Sequence, residues 1–317
     1  MEKRELGRSG ILVTPFCFGC NVFGWTANEK TSFELLDALT DFGFDFIDTA
    51  DVYSSWVPGN QGGESETIIG KWLKNTGKRE KVVIATKVGK PMGPGKQGLS
   101  KAYVTKAVED SLRRLQTDYI DLYQSHDDDK GTTLEETLGV FTDLIIEGKV
   151  RTIGASNYSA VRLTEAVNVS RKNGLAQYQT LQPEYNLYSR EPFEAELVSI
   201  CHEGKIGVIP YYSLASGFLT GKYRSEADLG KSARGQGIKK FLNDRGTRIL
   251  DALDSVAVAY ETTPAAVALA WLNTRPGIVA PIASATSIAQ LKEITASAAI
   301  KLGNSAIELL TRASQYE

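Results

Sequence analysis

Short apolar runs alternate with helical patterns along almost the whole chain. Each run is nearly continuously apolar, which is typical of a strand that is buried on both faces. Eight runs predict strands: TPFCFG (14–19), FDFID (44–48), KVVIATKV (81–88), YIDLYQ (119–124), VRTIGAS (150–156), YQTLQ (178–182), IGVIPYY (206–212) and GIVAPI (277–282).

Between these runs, apolar residues recur with the helical period. Segment 100–115 shows this most clearly, because Ser100 is a good N-cap and Val104, Val108, Leu112 and Leu115 fall on one face. The pattern predicts helices over 31–42, 64–75, 100–115, 134–147, 159–174, 191–203, 246–260, 264–273 and 287–298.

The alternation of strands and helices predicts a parallel sheet covered by helices. Eight βα units in roughly 280 residues match an α/β fold, the (β/α)8 TIM barrel. One barrel domain would occupy residues 1–317, with extra segments at the N- and C-terminal ends. A doubly wound sheet, the main alternative, would carry a Gly-rich dinucleotide turn after its first strand, and none follows the run at 14–19.

The segment GKPMGPGKQG (89–98) resembles a phosphate-binding loop without matching one. Five residues rather than four separate Gly89 from Gly95, and Gln97 stands where such a loop requires Ser or Thr. We interpret it as a flexible loop after the third strand.

The composition and charge of the chain indicate which classes of partner to expect. Of the 317 residues, 42% are hydrophobic and 23% are charged, and the formal net charge of −2 gives no reason to expect nucleic acid or an anionic membrane. The chain has no run of about 18 apolar residues, and MEKRELGRSG at its start lacks the apolar stretch of a secretory signal. We expect a cytoplasmic protein that acts on a small molecule.

The three cysteines suggest a redox or zinc site as an alternative. Cys17 and Cys20 form a C-x-x-C, and Cys201 with His202 would complete four ligands. A redox C-x-x-C normally opens a helix, whereas VTPFCFGCNVFG has the pattern of a strand and its exit loop. We therefore interpret the cysteines as small buried side chains and expect no metal.

Polar residues stand at the ends of consecutive predicted strands, where a barrel carries its chemistry. Each has a structural alternative: Asp48 would cap a turn, Lys87 would be a surface lysine, and His126 would be a loop histidine. Their coincidence at one edge favours a site. The residues at or just past these strand ends are Asp48, Tyr53, Lys87, His126, Ser156, Asn157, Gln182, Tyr211 and Tyr212.

Four of these residues form a proton-transfer set. A tyrosine with a pKa near 10 is a poor acid at neutral pH, and we expect the Lys87 ammonium to lower the pKa of Tyr53. Asp48 would keep a buried Lys87 charged, and His126 would orient a substrate oxygen. The sequence offers neither a nucleophile paired with histidine nor clustered metal ligands. A site that donates a proton but has neither of these needs a cofactor for the rest of its reaction.

These residues lie in segments that resemble the aldo-keto reductase family over essentially the whole chain. The segments are FDFIDTADVY, VVIATKVG, YIDLYQSH, GKVRTIGASNYS, LQPEYNLYSR and VIPYYSLASGFLTGKY, the last of which looks most like a bacterial branch that also resembles potassium-channel β subunits. The resemblance implies a (β/α)8 barrel that reduces aldehydes or ketones with NADPH, or runs the reverse reaction. It assigns the catalytic tetrad to Asp48, Tyr53, Lys87 and His126, with Tyr53 as general acid/base.

The resemblance also implies where the cofactor binds. It places the nicotinamide ring on Tyr211, the pyrophosphate along 212–222 and the 2′-phosphate at 281–293. Gln290 stands where many members have arginine, and Tyr212 and Ser213 stand where the branch usually has Ser and Pro. We expect NADPH, with NADH as the alternative. The expected contacts are Cys20, Asn21, Asp48, Ser156, Asn157, Gln182, Tyr211, Tyr212, Ser213, Leu214, Ser216, Gly217, Gly221, Lys222, Ser284, Thr286 and Gln290.

Substrate choice in such barrels comes from the loops. The segment 223–245, rich in Gly, Lys and Arg, is a candidate for a lid. Asp45 and Asp51, which flank the end of the second predicted strand, we interpret as turn or surface residues. Two other functions remain open: an NADPH-binding, redox-sensing regulatory subunit with little turnover, and a metal-dependent hydrolase, which the lack of clustered ligands disfavours. The candidates for substrate contact are Phe23, Trp25, Trp56 and Tyr158.

Overall fold

Short strands at the centre of the molecule form a parallel sheet. The computed structural model describes residues 2–232 and 234–316, so one position of the 223–245 segment lies outside the described residues. A hairpin precedes the sheet, and its strands are Arg4–Glu5 (β1) and Leu12–Val13 (β2). The sheet strands are Cys17–Gly19 (β3), Phe46–Asp48 (β4), Val83–Val88 (β5), Ile120–Ser125 (β6), Val150–Ser156 (β7), Thr180–Gln182 (β8), Gly207–Val208 (β9) and Ile282–Ala283 (β10).

The sheet closes on itself. In the described part of the chain it has eight strands in the order β10-β3-β4-β5-β6-β7-β8-β9, and every pairing is parallel. Val208 donates its N–H to the Gly277 carbonyl and accepts from Val279 N–H, and Ile282 N–H donates to the Pro210 carbonyl. These bonds join the two ends of the sheet, and the predicted (β/α)8 barrel is confirmed.

Helices surround the barrel. The helix predicted over 264–273 has those bounds, and the predicted N-cap Ser100 accepts a hydrogen bond from Tyr103 N–H at 3.4 Å. The helices are Glu29–Asp41 (α1), Glu64–Thr76 (α2), Lys101–Leu115 (α3), Leu134–Ile146 (α4), Ala160–Asn173 (α5), Glu191–Gly204 (α6), Asp244–Ala259 (α7), Pro264–Asn273 (α8), Ile288–Thr295 (α9) and Asn304–Ala313 (α10), with short 3-10 helices at Arg79–Lys81, Ala215–Thr220, Glu226–Lys231, Gly235–Phe241 and Ala296–Ala298.

Several predicted strands are longer than the observed ones. The run at 206–212 yields only the two residues of β9, because Pro210 has no N–H to donate and Tyr212 has a φ of 50°. Pro15 similarly keeps the first predicted strand from beginning before Cys17. The apolar runs of the sequence are longer than the strands because the turns that flank the strands are buried as well.

The hairpin closes the amino end of the barrel. Its apolar residues Leu6, Ile11 and Val13 pack in one cluster with Phe46 and Leu122 of the barrel strands. Gly7 has a φ of 64°, and a Cβ on it would lie only 2.1 Å from the Gln179 carbonyl oxygen, so only glycine permits this approach. The barrel interior is therefore filled below the strands' carboxyl ends.

The candidate motifs of the sequence have structural roles outside any redox or phosphate site. Cys17, Cys20 and Cys201 are unpaired and buried, which confirms the interpretation of the cysteines as buried side chains. The sequence GPGKQG (93–98) does carry a G-x-G-x-x-G spacing, but it follows the third barrel strand instead of the first and lies in the mostly exposed loop before α3. No described helix combines the length and the apolar character that crossing a membrane requires.

Candidate active site

The carboxyl ends of the barrel strands open into one cavity of about 1020 Å³. Parallel strands end on the same side of a barrel, so the residues that follow neighbouring strands converge there. Asp48 ends β4, Lys87 is the penultimate residue of β5, and His126 directly follows β6. The predicted residues that line the cavity are Asn21, Trp25, Asp48, Tyr53, Trp56, His126, Ser156, Asn157, Gln182, Tyr211, Tyr212, Ser213, Leu214, Ser216, Gly217, Lys222, Ser284, Thr286 and Gln290.

Lys87 lies beneath the cavity and joins Asp48 to Tyr53. Its Nζ is fully buried and lies 2.6 Å from Asp48 Oδ2 and 2.9 Å from the Tyr53 hydroxyl oxygen. The third ammonium proton goes to the Thr49 carbonyl at 2.8 Å. Because Lys87 donates to the phenol oxygen, the proton of Tyr53 remains available for donation, with Asp48 Oδ2 3.5 Å away.

The charge on Lys87 is maintained by its neighbours. Burial alone would lower the pKa of Lys87, but Asp48 and Tyr53 outweigh burial and hold that pKa above its ordinary value. Asp48 is itself buried, and its Oδ1 accepts from Gln182 Nε2 at 3.0 Å and Gln124 Nε2 at 3.4 Å. Gln124 was not among the predicted residues, although it stands opposite Lys87 in the β5–β6 register and therefore faces the same way.

The expected lowering of the Tyr53 pKa is wrong in its net direction. Burial has the largest influence and raises the pKa of Tyr53 above its ordinary value, while the Lys87 ammonium offsets only part of that rise. Tyr53 is therefore a protonated phenol at neutral pH. In this state it is a proton donor that is held in place by a permanent positive charge.

His126 is a neutral imidazole at the edge of the cavity. Its ring lies 6.0 Å from the Tyr53 ring, centroid to centroid, and its Nδ1 has no hydrogen-bond partner among residues 2–232 and 234–316. Burial, followed by the charges of Lys87 and Lys90, holds the pKa of His126 well below 6.5. A neutral imidazole donates through one ring nitrogen and accepts at the other, so it can bind an oxygen without adding charge.

The strands after β6 supply a network of polar side chains. Ser156 donates to the Gln182 carbonyl at 3.0 Å, and Asn157 Nδ2 donates to the His126 carbonyl at 3.0 Å. Tyr211 donates its hydroxyl to Asn157 Oδ1 at 2.8 Å, which holds the Tyr211 ring against the cavity. Asn157 has a φ of 59°, a conformation that asparagine adopts more readily than most residues.

Beyond Tyr211 the chain turns tightly along the cavity. Ser216 and Gly217, inside the 3-10 segment Ala215–Thr220, have φ values of 58° and 99°. A Cβ on Gly217 would meet no atom closer than 3.8 Å, so backbone is exposed to the cavity at this point. Lys222 follows at the cavity wall.

The far end of the cavity lies at the start of α9. Ser287 caps the helix, and Gln290 Oε1 accepts from Thr286 N–H at 2.9 Å and from the Thr286 hydroxyl at 3.1 Å. The Gln290 side chain therefore engages donors that a bound anion would otherwise use. Glu293, which the sequence analysis did not select, also lines this end.

Four predicted contacts do not line the cavity. Cys20 and Phe23 have no exposed surface and pack in the core around the barrel. Tyr158 is buried, with its hydroxyl 3.1 Å from that of Tyr178. A Cβ on Gly221 would meet Arg224 and Pro264, so this glycine serves the turn (φ 78°) and not the cavity. None of these four residues lines the cavity, and their contacts with a ligand stay predictions.

An aromatic wall stands beside Tyr53. The ring centroids of Tyr53 and Trp56 are 6.1 Å apart, and those of Trp56 and Trp25 are 5.8 Å apart. Trp56 is half exposed at the mouth. The described part of the 223–245 segment contains two short 3-10 helices and brings Arg234 over the Trp25 ring, with its guanidinium carbon 5.2 Å from the centroid.

Asp51 lies in the turn after β4, as interpreted, but neither Asp51 nor Asp45 is a surface residue. Both are buried; Asp45 is paired with Lys3 at 2.6 Å and accepts from Thr14 N–H at 2.9 Å. Neither carboxyl oxygen of Asp51 has a hydrogen-bond partner in the described part of the chain. Burial, reinforced by the nearby Glu66 carboxylate, raises the pKa of Asp51 well above its ordinary value.

We expect Asp51→Asn to stabilise the protein at pH 8. The pKa of Asp51 is higher in the folded protein than in the unfolded chain, where it is near 4, so stability falls as pH rises from about 4 toward the folded-state pKa. Asparagine does not titrate, so the replacement of Asp51 by asparagine should raise the free energy of unfolding by about 1–3 kcal/mol at pH 8. Urea denaturation at pH 4.5 and pH 8 measures the difference in unfolding free energy between the variant and wild type, which should be smaller at pH 4.5.

Asp37→Asn is the matched control for this prediction. Asp37 is close to Lys78, and hydrogen bonds from Lys78 and Trp72 outweigh the effect of burial and lower its pKa. Neutralising it should therefore reduce stability slightly at pH 8. Destabilisation by Asp51→Asn at pH 8 would contradict a raised pKa of Asp51.

Known proteins resemble this chain over almost its whole length. The sequence model of the Aldo/keto reductase family matches residues 15–315. The chain is 35% identical to the uncharacterized oxidoreductase YrpG of Bacillus subtilis, covering 98% of this chain and 95% of that protein. It is 32% identical to a probable voltage-gated potassium channel subunit beta of Arabidopsis thaliana (92% and 90%) and 31% identical to versiconal hemiacetal acetate reductase of Aspergillus parasiticus (98% and 96%).

Proposed function

Because the chain belongs to the aldo-keto reductase family of oxidoreductases, we propose that it reduces aldehydes or ketones to alcohols with NADPH, or runs the reverse reaction. The observation that carries this proposal is the 2.9 Å contact between Lys87 Nζ and the Tyr53 hydroxyl. A permanently charged donor on the phenol oxygen prepares that oxygen to lose its proton to a substrate.

Each residue of the tetrad has a separate task in this mechanism. When bound, the reduced nicotinamide supplies the hydride. Tyr53 donates its proton to the carbonyl oxygen as negative charge develops there, and Lys87 stabilises the phenolate that remains. Asp48 balances the charge of Lys87 in the buried site, and the neutral His126 donates a hydrogen bond that orients the carbonyl group. In the reverse direction Tyr53 accepts the proton.

The cavity fits a nicotinamide dinucleotide by the kind and order of its polar groups. Tyr211 offers an aromatic face near the tetrad, the backbone around Gly217 is open to a close approach, and Lys222 offers positive charge. The N-terminus of α9 and the hydroxyls of Ser284 and Thr286 suit an anion at the far end. These residues, with Ser156, Asn157 and Gln182 at the nicotinamide end, would hold the cofactor.

We expect NADPH to bind more tightly than NADH, by about tenfold or less. The α9 N-terminus favours the 2′-phosphate, but Gln290 is neutral and Glu293 repels an anion at the same end.

Gln290→Arg should therefore increase the ratio of NADH Kd to NADPH Kd by a further factor of about ten or more, because a charge-assisted pair is added. Fluorescence titration of the purified protein with each nucleotide gives both constants.

Ala289→Arg is the control for the added charge. Ala289 is the neighbouring exposed residue of α9 and does not line the cavity, so arginine there should change the ratio little. Equal or tighter binding of NADH by the wild-type protein would contradict the proposed cofactor preference.

A second candidate function follows from the similarity to the plant potassium channel subunit. In this alternative the chain is an NADPH-binding regulatory subunit with little turnover. Turnover of 4-nitrobenzaldehyde with the tighter nucleotide would support the reductase. Tight nucleotide binding without turnover of a broad panel of aldehydes and ketones would favour the regulatory subunit.

A further inference from the structure

Gln124 is a fully buried amide next to the residues that would hold the nicotinamide. It belongs to β6, stands opposite Lys87 of β5 and Gly154 of β7, and does not itself line the cavity. A Cβ on Gly154 would lie 2.2 Å from Thr180 Oγ1 and 3.2 Å from Gln124 Cγ, so the glycine leaves room for both side chains. A buried amide is unfavourable unless it is hydrogen-bonded, so the partners of Gln124 indicate its role.

The hydrogen bonds of Gln124 connect two parts of the site. Its Nε2 donates to Asp48 Oδ1 at 3.4 Å, and its Oε1 accepts from Gln182 Nε2 at 3.3 Å. Gln182 Nε2 also donates to Asp48 Oδ1 at 3.0 Å. The two amides and the carboxylate therefore form a closed triangle of hydrogen bonds, while Asp48 Oδ2 pairs with the Lys87 ammonium at 2.6 Å.

This triangle fixes the orientation of the Gln182 amide. An ionised carboxylate only accepts hydrogen bonds, so both amides turn an N–H toward Asp48. One Nε2 proton of Gln182 then goes to Asp48 and the other to Gln124, and an amide nitrogen has no third proton. Because Gln182 lines the cavity, the atom that it has left for a ligand there is its acceptor oxygen, Oε1.

We propose that Gln124 is a positioning residue that makes Gln182 select an N–H donor on the ligand, which for a nicotinamide cofactor is the NH2 of its carboxamide. This inference rests on the proposed function. Gln124 acts through Gln182 alone, by accepting the second Nε2 proton. Without that acceptor, the Gln182 amide can offer the freed N–H to a ligand oxygen instead, and recognition of the carboxamide becomes less specific.

The test compares two ligands that differ only at this amide. Calorimetric titration gives the Kd of NADP and of its 3-acetylpyridine analogue, in which a methyl group replaces the carboxamide NH2, with wild type, Gln124→Met and Gln124→Glu. Wild type should bind NADP about tenfold or more tightly than the analogue, because the methyl group leaves Gln182 Oε1 unpaired. Gln124→Met should reduce this ratio by about 3- to 10-fold, since methionine has a similar length but no amide acceptor.

Gln124→Glu separates the acceptor from the rest of the amide. Glutamate keeps an acceptor oxygen for the Gln182 proton in either of its protonation states. It should therefore retain most of the wild-type ratio, even where the like charge of Asp48 lowers stability. If Gln124→Glu reduced the ratio as strongly as Gln124→Met, the accepted hydrogen bond would not be the cause and the proposal would be overturned.

Thr86→Val is the control for the loss of a buried hydrogen bond close by. Thr86 precedes Lys87 in β5 and faces away from it, because successive side chains of a strand alternate. Its hydroxyl donates to Glu66 at 2.6 Å, so valine should lower stability without changing the ratio. An unchanged ratio in Gln124→Met, or equal binding of the two nucleotides by wild type, would overturn the proposal.

A hydrogen-exchange measurement decides the question if no dinucleotide binds or if Gln124→Met does not fold. In the first case the proposed function fails, but the orientation of Gln182 is still measurable by NMR in free protein that carries ¹⁵N-labelled glutamine. Both Nε2 protons of Gln182 should exchange with D2O at least about 100-fold more slowly than those of the exposed Gln97, and Gln124→Met should speed this exchange about tenfold. Exchange in wild type as fast as that of Gln97, or equal exchange in wild type and Gln124→Met, would overturn the inference.

Discussion

Replacing Tyr53 by Phe should lower kcat/KM for carbonyl reduction by about 10²- to 10⁴-fold while leaving the Kd of NADPH nearly unchanged. The phenol combines an available proton with a permanent cation on its oxygen, Lys87 Nζ at 2.9 Å. Phenylalanine keeps the ring and its contacts with Trp56 and His126 but removes the acid. Rates with 4-nitrobenzaldehyde and fluorescence titration with NADPH measure the two quantities separately.

Tyr260→Phe is a suitable control for the loss of a tyrosine hydroxyl. The Tyr260 hydroxyl accepts from Gly303 N–H at the end of α7, away from the cavity, so both kcat/KM and the NADPH Kd should stay near wild type. If Tyr53→Phe weakened NADPH binding as strongly as it reduced turnover, Tyr53 would belong to the binding surface and not to proton transfer.

Replacing Lys87 by Met should both inactivate and destabilise the protein. The substitution removes the charge that stabilises the phenolate, and it leaves the Asp48 carboxylate buried without its partner. Breaking a buried ion pair in this way costs about 3–5 kcal/mol of unfolding free energy. Urea denaturation and steady-state rates at pH 7 give the two effects, and the loss of rate should be at least about a hundredfold.

The double variant Asp48→Asn/Lys87→Met separates the two roles. Without Lys87 the carboxylate is the unfavourable group, so its neutralisation should recover part of the stability but none of the activity. Lys71→Met provides a reference at the surface, because the exposed Lys71–Glu29 pair should contribute less than about 1 kcal/mol. A loss of stability in Lys87→Met no larger than that of Lys71→Met would contradict the assigned role of the buried pair.

The sequence pattern predicted the barrel because its strands are buried on both faces and therefore apolar without interruption. The strand at 150–156 and the helix at 264–273 have their predicted bounds. The pattern missed the two-residue strands of the N-terminal hairpin and the helix α10, Asn304–Ala313. Both lie in segments that follow no βα alternation, and α10 buries only part of one face against the barrel's helices.

The sequence predicted the site correctly for residues whose position is determined by a strand end. Asp48, Lys87 and His126 are within a residue or two of a strand terminus, so the topology alone brings them together. The net pKa of Tyr53 was not predictable, because it depends on the depth of burial and not on which charges are near. Arg234 escaped prediction for a different reason: it lies in a segment between two 3-10 helices whose course the sequence pattern does not specify.

The hairpin that closes the bottom of the barrel also fixes when the molecule can be completed during synthesis. Arg4 donates to the Ile278 carbonyl at 2.9 Å and to Asn273 Oδ1 at 3.1 Å, and β3 has β10 as one of its two neighbours. Arg4 therefore gains these partners only after a further stretch of more than 260 residues has been synthesised. Until then the nascent chain holds an open sheet with unpaired edges, which are prone to non-native pairing and aggregation.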